Sequence, residues 1–234
     1  MKLKTVAQKI IKSKKVLLFA TVTVSGIWAD SLSVYRLEER TQTAVTVRPL
    51  DEDGLFPVVS ISQYDNLFRK YSTEIGWDWK LLASLVCQES RFKPDARSRA
   101  GAYGLMQMMP ATMKNFGVDT TSSPEKHIAA GVKYIKYLDY MLSKYVPDKN
   151  ERIKFVLASY NIGPGHVLDA HRIAGKYGKN ASIWENNVDS CLLRKTDPAC
   201  YNLPEVRHGR CRGKETYAFV VQVMKLYESY KNML

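Results

Sequence analysis

Residues 78–90 read Asp78-Trp79-Lys80-Leu81-Leu82-Ala83-Ser84-Leu85-Val86-Cys87-Gln88-Glu89-Ser90. Aspartate is a favoured helix N-cap because its carboxylate accepts from the first free backbone N–H groups. No breaker follows, so a helix from Asp78 to about Ser90 is expected. Trp79, Leu82, Val86 and Glu89 recur at three and four residues and share a face. That face is apolar until its last member, which is a carboxylic acid. A carboxyl group at the end of a buried stripe loses hydration, and that favours its neutral form. A glutamic acid kept protonated near neutrality is equipped to donate a proton to a glycosidic oxygen. Most helix-terminal glutamates only lean into water, so the position by itself leaves the role of Glu89 open.

Working outward, the chain from Gln63 onward reads as helix after helix. A helix over Gln63–Ile75 ends at Gly76. Ser123-Pro124-Glu125 combines a capping hydroxyl, a proline at the first helical position and an acid in the first turn. Ile128, Val132, Ile135, Leu138, Leu142 and Tyr145 then form one apolar stripe. A further helix covers Asn150–Asn161, Gly163-Pro164-Gly165 breaks it and starts the next, and a last helix covers Lys214–Asn232. The fold class expected is mainly α: a single helical domain over residues 61–234, with at most a small β element around Arg97–Gln107.

The first 29 residues differ in character. Six lysines (Lys2, Lys4, Lys9, Lys12, Lys14 and Lys15) precede an apolar run from Val16 to Trp28, with no acid among them. This is the pattern of a secretory signal, and the run is short for a membrane span. Cleavage after Ser25, cleavage after Ala29 and retention as an N-terminal anchor are all open. Each places the body of the protein outside the cytoplasm, in the cell envelope and most simply the periplasm. Residues 30–60 contain Arg-Pro, Asp-Glu-Asp-Gly and Phe-Pro and read as a linker or arm, with a short strand at Thr43–Val47.

Removing those six lysines from the formal charge of +12 leaves +6 for the remainder. A solvated basic surface accounts for that, and no nucleic-acid motif accompanies it. Export would permit oxidation of the four cysteines. Cys87 sits in an apolar helix and reads as a buried thiol. Cys191, Cys200 and Cys211 fall in a loop-rich segment, where at least one bridge is expected. No CxxC spacing occurs, and His127, His166, His171 and His208 form no HExxH arrangement, so no metal and no cofactor is expected.

Two further stretches carry chemistry. Gly101-Ala102-Tyr103-Gly104-Leu105-Met106-Gln107 has two glycines that let the backbone turn tightly and approach a ligand. Gln107 brings both a donor and an acceptor. The plain alternative is a turn leading into a Met-rich core helix. Ser159-Tyr160-Asn161 ends a helix just before Gly-Pro-Gly. There the Tyr160 hydroxyl needs a partner if buried, and Asn161 is either a helix terminator or an amide for a substrate acetamido group.

Glu89-Ser90, then Gly104-Leu105-Met106-Gln107, then Tyr160-Asn161 resemble the three ordered signatures of the soluble-type lytic transglycosylase domain, a family with the goose-type lysozyme fold. The resemblance covers about residues 65–230, including Arg212-Gly213-Lys214-Glu215-Thr216 at the start of the closing helix. Its C-terminal part most resembles the catalytic domain of membrane-bound lytic transglycosylase F. The resemblance implies a lysozyme-like cleft for peptidoglycan glycan strands, with Glu89 as general acid and then base. It implies that Ser90 helps to hold the carboxyl or substrate, and that Gly104, Leu105, Met106 and Gln107 line the sugar cleft. It further implies that Tyr160 packs or hydrogen-bonds close to Glu89 and that Asn161 binds an acetamido group. Two positions depart from the pattern: Ser159 stands where alanine is usual, and Phe219 where many members carry tyrosine.

A hydrolytic, lysozyme-like reaction would need a second acid, for which Asp95, Asp119 and Asp169 are the nearby candidates. A non-catalytic wall-binding module of the same fold is the other alternative, disfavoured by the cost of burying an unneeded carboxyl group.

Overall fold

A computed structural model describes residues 46–47 and 59–233. The proposed signal or anchor, residues 1–29, and nearly all of the arm over 30–60 lie outside the described residues. Strand β1 (Thr46–Val47) pairs antiparallel with β2 (Val59–Ser60), which places a two-residue strand at the end of the stretch expected over Thr43–Val47. Everything after β2 is helical or turn, apart from isolated bridges that link Arg97 to Tyr103 and Tyr103 to Met108. The small β element expected around Arg97–Gln107 is therefore a turn stitched by two bridges.

Helix α1 (Asp65–Ser72) continues through a 3-10 turn (Thr73–Ile75). Helix α2 (Trp79–Ser90) starts where Asp78 accepts from the Lys80 N–H at 2.9 Å. The sequence suggests one apolar face for α2, but Leu81, Leu82, Ala83, Ser84, Leu85, Val86 and Cys87 are all buried. A helix buried all round is the central element of its domain. The long closing helix α9 packs along α2, and α1 packs on it as well.

Between these come α3 (Pro110–Asn115), α4 (Pro124–Ser143), α5 (Lys149–Ile162) and α6 (Pro164–Lys176). The Ser123 hydroxyl caps α4 at the Lys126 N–H, as its Ser-Pro-Glu signal predicts. Phe68, Leu82, Met106, Ile135, Leu138, Phe155, Val223 and Tyr230 are among the side chains of the single core.

Two features correct the sequence reading of the region after α6. A π turn (Trp184–Val188), α7 (Asp189–Arg194) and α8 (Pro198–Tyr201) occupy much of the segment read as loop-rich. Cys191 and Cys200 belong to these short helices. The bridge expected among Cys191, Cys200 and Cys211 is not formed, since all four cysteines are buried free thiols.

The last helix, α9, spans Gly213–Met233. A Cβ atom on Gly213 would lie 2.0 Å from the Leu192 carbonyl oxygen. Glycine alone lets the start of α9 meet the backbone of α7 so closely.

A buried charge cluster closes this half. Asp169 and Lys195 are both fully buried, with Lys195 Nζ donating to Asp169 Oδ2 at 2.6 Å. Asp169 also accepts the backbone N–H groups of Arg207 and His208, each at 2.9 Å. Burial works against its charge, but the ammonium and these donors outweigh it and hold the carboxyl below the usual range. The loop before α9 is thereby fastened to α6.

Candidate active site

Glu89 ends the central helix, and the chain leaves it through two consecutive left-handed residues, Arg91 (φ 51°) and Phe92 (φ 61°). Such backbone is uncommon outside glycine and persists where surrounding packing enforces it. Here the Arg91 N–H closes α2 on Cys87, and the Phe92 ring packs against Phe68, with centroids 6.0 Å apart. The sharp exit keeps the end of α2 clear of following chain and leaves Glu89 at the floor of a cleft of about 450 Å³.

One wall of the cleft is the 96–108 turn. The Gly104 N–H donates to Ala96 O at 2.9 Å, and Tyr103 and Met108 exchange backbone hydrogen bonds. Gly104 has φ +78°, and a Cβ there would sit 3.0 Å from His127 Nδ1. His127 is buried under the turn, with Nε2 held at 3.0 Å from the Asp119 carbonyl oxygen. Gln107 Nε2 donates to two carbonyl oxygens, those of Ala96 and Gly104, each at 2.9 Å. Both of its N–H donors are thus used, and Oε1 is the end left to accept from a ligand.

The opposite wall is the end of α5. The Tyr160 hydroxyl donates to the Met106 carbonyl oxygen at 2.7 Å. Its phenol is pushed well above the usual range by burial and by the charge of Glu89, so Tyr160 serves as a neutral donor. Asn161 is exposed, and its Oδ1 accepts from the Thr216 hydroxyl at 2.8 Å. That bond fixes which way the amide turns and leaves its NH₂ group unengaged by the described residues.

Of the residues lining this cleft, Glu89 is the only carboxylic acid. Its pKa is raised from 4.5 to about 8, with desolvation as the cause. The carboxyl group is therefore largely protonated at neutral pH. Asp95, Asp119 and Asp169 do not line the cleft. Asp119 caps its own turn through Thr121 and Ser122, and Asp169 belongs to the cluster with Lys195.

The turn, the end of α2 and the end of α5 bring Glu89, Gln107, Tyr160 and Asn161 into one cleft. Gly104 shapes the turn behind that wall, and Ser90, Leu105 and Met106 do not line the cleft. Leu105 and Met106 point into the core, 1% and 0% exposed, and of the pair only the Met106 carbonyl oxygen takes part, through Tyr160. Ser90 is buried and its hydroxyl donates to Val86 O within α2. Phe219 is buried in the core, and Tyr217 lies on the surface away from the cleft. Tyr134, which lines the cleft, and Thr216, which holds Asn161, are the residues that sequence reasoning does not single out. Thr216 stands within the Arg212-Gly213-Lys214-Glu215-Thr216 stretch, which is its signal in the sequence.

The family described as "Transglycosylase SLT domain" is matched over residues 66–183, half of the chain. The chain belongs to this family. Among curated relatives, the membrane-bound lytic murein transglycosylase F of Haemophilus influenzae is 35% identical over 173 residues, which cover 74% of this chain and 35% of the relative. That of Vibrio parahaemolyticus is 35% identical over 191 residues, 80% of this chain and 33% of the relative. The chain thus spans about a third of the length of the relatives it matches. Among solved structures, the 70 kDa soluble lytic transglycosylase of Escherichia coli aligns with a TM-score of 0.47 at 25% identity, over 73% of this chain and 24% of that one. In this SLT domain the match includes Glu89, the 96–108 turn and the end of α5, and stops before α9 and Thr216.

Proposed function

We propose that this SLT domain is a peptidoglycan lytic transglycosylase that cleaves the β1,4 bond between N-acetylmuramic acid and N-acetylglucosamine. The observation that carries the reading is a single cleft carboxyl group, Glu89, whose pKa is raised by burial to about 8. As an acid, Glu89 gives its proton to the glycosidic oxygen while the C1–O bond breaks. As the resulting carboxylate, it takes the proton of the muramic acid C6 hydroxyl while that oxygen bonds to C1. The proton returns to Glu89, a 1,6-anhydromuramic end forms and no water is consumed. Water-activating glycosidases that invert need a second carboxyl group 6.5–9.5 Å away, and the lining supplies none. Gln107 Oε1 and the Asn161 amide NH₂ are the polar ends offered to acetamido and hydroxyl groups of the sugars.

Membership of the family and the relatives' printed names support an envelope setting, and the lysine-rich, apolar start of the chain supports export to it, most simply the periplasm. The domain boundary at residue 61 and any membrane association through residues 1–29 belong to the same proposal.

The test is digestion of purified peptidoglycan followed by mass spectrometry, with wild type and Glu89→Gln side by side. Anhydro products, lighter than hydrolytic products by one water, are expected from the wild type and none from the variant. Reducing ends alone would move the reading to a hydrolase. Glycan binding with no product from the wild type would move it to a non-catalytic module.

A further inference from the structure

Tyr134, on α4, lines the cleft. The Tyr134 ring packs 5.3 Å from Tyr160 and 6.5 Å from Tyr137, the latter pair inclined by only 16°. From α3, Thr112 lines the cleft, and Phe116, one turn on, packs against Tyr134 at 5.6 Å. Tyr137 is 54% exposed and Tyr140 78% exposed, the two most exposed large apolar side chains among the described residues. Scattered apolar groups on a surface need no explanation, but exposed rings that begin against a cleft-lining ring do. From Tyr134 to Tyr140 the helix advances about 9 Å at 1.5 Å per residue, and each step of three residues carries the row about 60° round the helix.

The same face is cationic. Lys133 and Lys136 are exposed, and neither is ion-paired among the described residues. The neighbouring acid, Asp139, is taken by Arg152 at 2.7 Å. Planar rings present apolar faces to the C–H faces of sugar rings, and unpaired ammonium groups suit the lactyl and peptide carboxylates of a muramic polymer. Contact between two copies of the chain through this face would set like charges against each other, so a glycan strand is the occupant that fits.

We propose that the Tyr137–Tyr140 face of α4 is a second glycan-binding strip, continuous with the cleft, that holds the strand beyond the sugars flanking the scissile bond. The proposal rests on the substrate class proposed above, and its test has an arm that does not depend on turnover. In the first arm, the Tyr137→Ala/Tyr140→Ala variant is compared with wild type on long uncrosslinked glycan strands and on a tetrasaccharide too short to reach the strip. A rise in KM of roughly five- to tenfold is expected on the long strands, with kcat and tetrasaccharide cleavage unchanged. The Tyr137→Phe/Tyr140→Phe variant, which keeps the ring faces, should restore the wild-type KM.

In the second arm, the same tyrosine pair is replaced in Glu89→Gln protein, and binding of the long strands is measured directly. A Kd raised by the same factor supports the strip, and an unchanged Kd overturns it. A wild type that cleaves no peptidoglycan sinks the proposed function, while the binding arm still decides the strip. Sedimentation closes the last route: a wild-type dimer that the alanine pair makes monomeric would reassign this face to self-association and overturn the strip.

Discussion

The Tyr160 hydroxyl and the Met106 carbonyl oxygen, 54 residues apart in the chain, meet at 2.7 Å and join the two walls of the cleft beside Glu89. Replacing Tyr160 by Phe keeps the ring and leaves that carbonyl without its partner. The expected cost is about 1–2 kcal/mol of stability, read by denaturant unfolding. A larger effect is expected on kcat, on the order of tenfold or more, because the turn that carries Gln107 loses its anchor. Unfolding and turnover measured on the same preparation separate the two.

Glu89 gives a pH dependence with a definite sign. The unfolded chain releases this proton near 4.5, whereas the folded protein keeps it to about pH 8. Between those values the folded state binds more protons, so stability falls as pH rises through the window and is level outside it. Glu89→Gln removes that slope. The variant should match wild type near pH 4 and exceed it at pH 8 and above, by an amount on the order of a few kcal/mol. Thermal scans from pH 4 to 9 read the divergence directly. Bond cleavage by the wild type should decline as pH passes about 8, where the acid is lost.

Gly104→Ala should be costly out of proportion to one methyl group. The position needs φ +78°, and the added carbon would meet His127 Nδ1 at 3.0 Å. Loss of roughly 1–3 kcal/mol is expected, together with weakened substrate binding because Gln107 is fixed to the Gly104 carbonyl. A KM rise with the fold retained by circular dichroism is the signature; a KM equal to wild type would show the turn to be more compliant than its geometry states.

Ser159→Ala should act in the other direction. The Ser159 hydroxyl is fully buried and has no hydrogen-bond partner among the described residues. Removing an unsatisfied buried hydroxyl is expected to stabilise by about 1 kcal/mol, a Tm increase of roughly 2–4 °C in a domain of this size.

Asp169→Asn strands the fully buried Lys195 ammonium, and a loss of roughly 3–5 kcal/mol is expected. Adding Lys195→Met should recover most of it, because the pair is then replaced rather than broken. Denaturant midpoints for the two variants decide whether the cluster acts as a unit.

What was readable in the sequence was local. Asp78 and Ser123-Pro124 announce helix starts because a cap and a fixed φ act on the next few residues alone. Glu89 was readable because a 3.6-residue period shows an acid continuing an apolar row. Ser90, Leu105 and Met106 sit among motif residues yet turn to the helix backbone or the core, which spacing does not reveal. The Asp169–Lys195 pair spans 26 residues and the Thr216–Asn161 bond spans 55, so no local pattern marks either. The helices at Asp189–Arg194 and Pro198–Tyr201 are too short to show a period, and only Asp197-Pro198 carries a start signal.

The bond from Thr216 to Asn161 also makes one wall of the cleft depend on the last helix. A fragment ending before residue 213 contains Glu89, the 96–108 turn, Tyr134 and Tyr160, yet lacks the helix that packs along α2 and steadies Asn161. The last helix is thus the keystone of a cleft that it does not itself line.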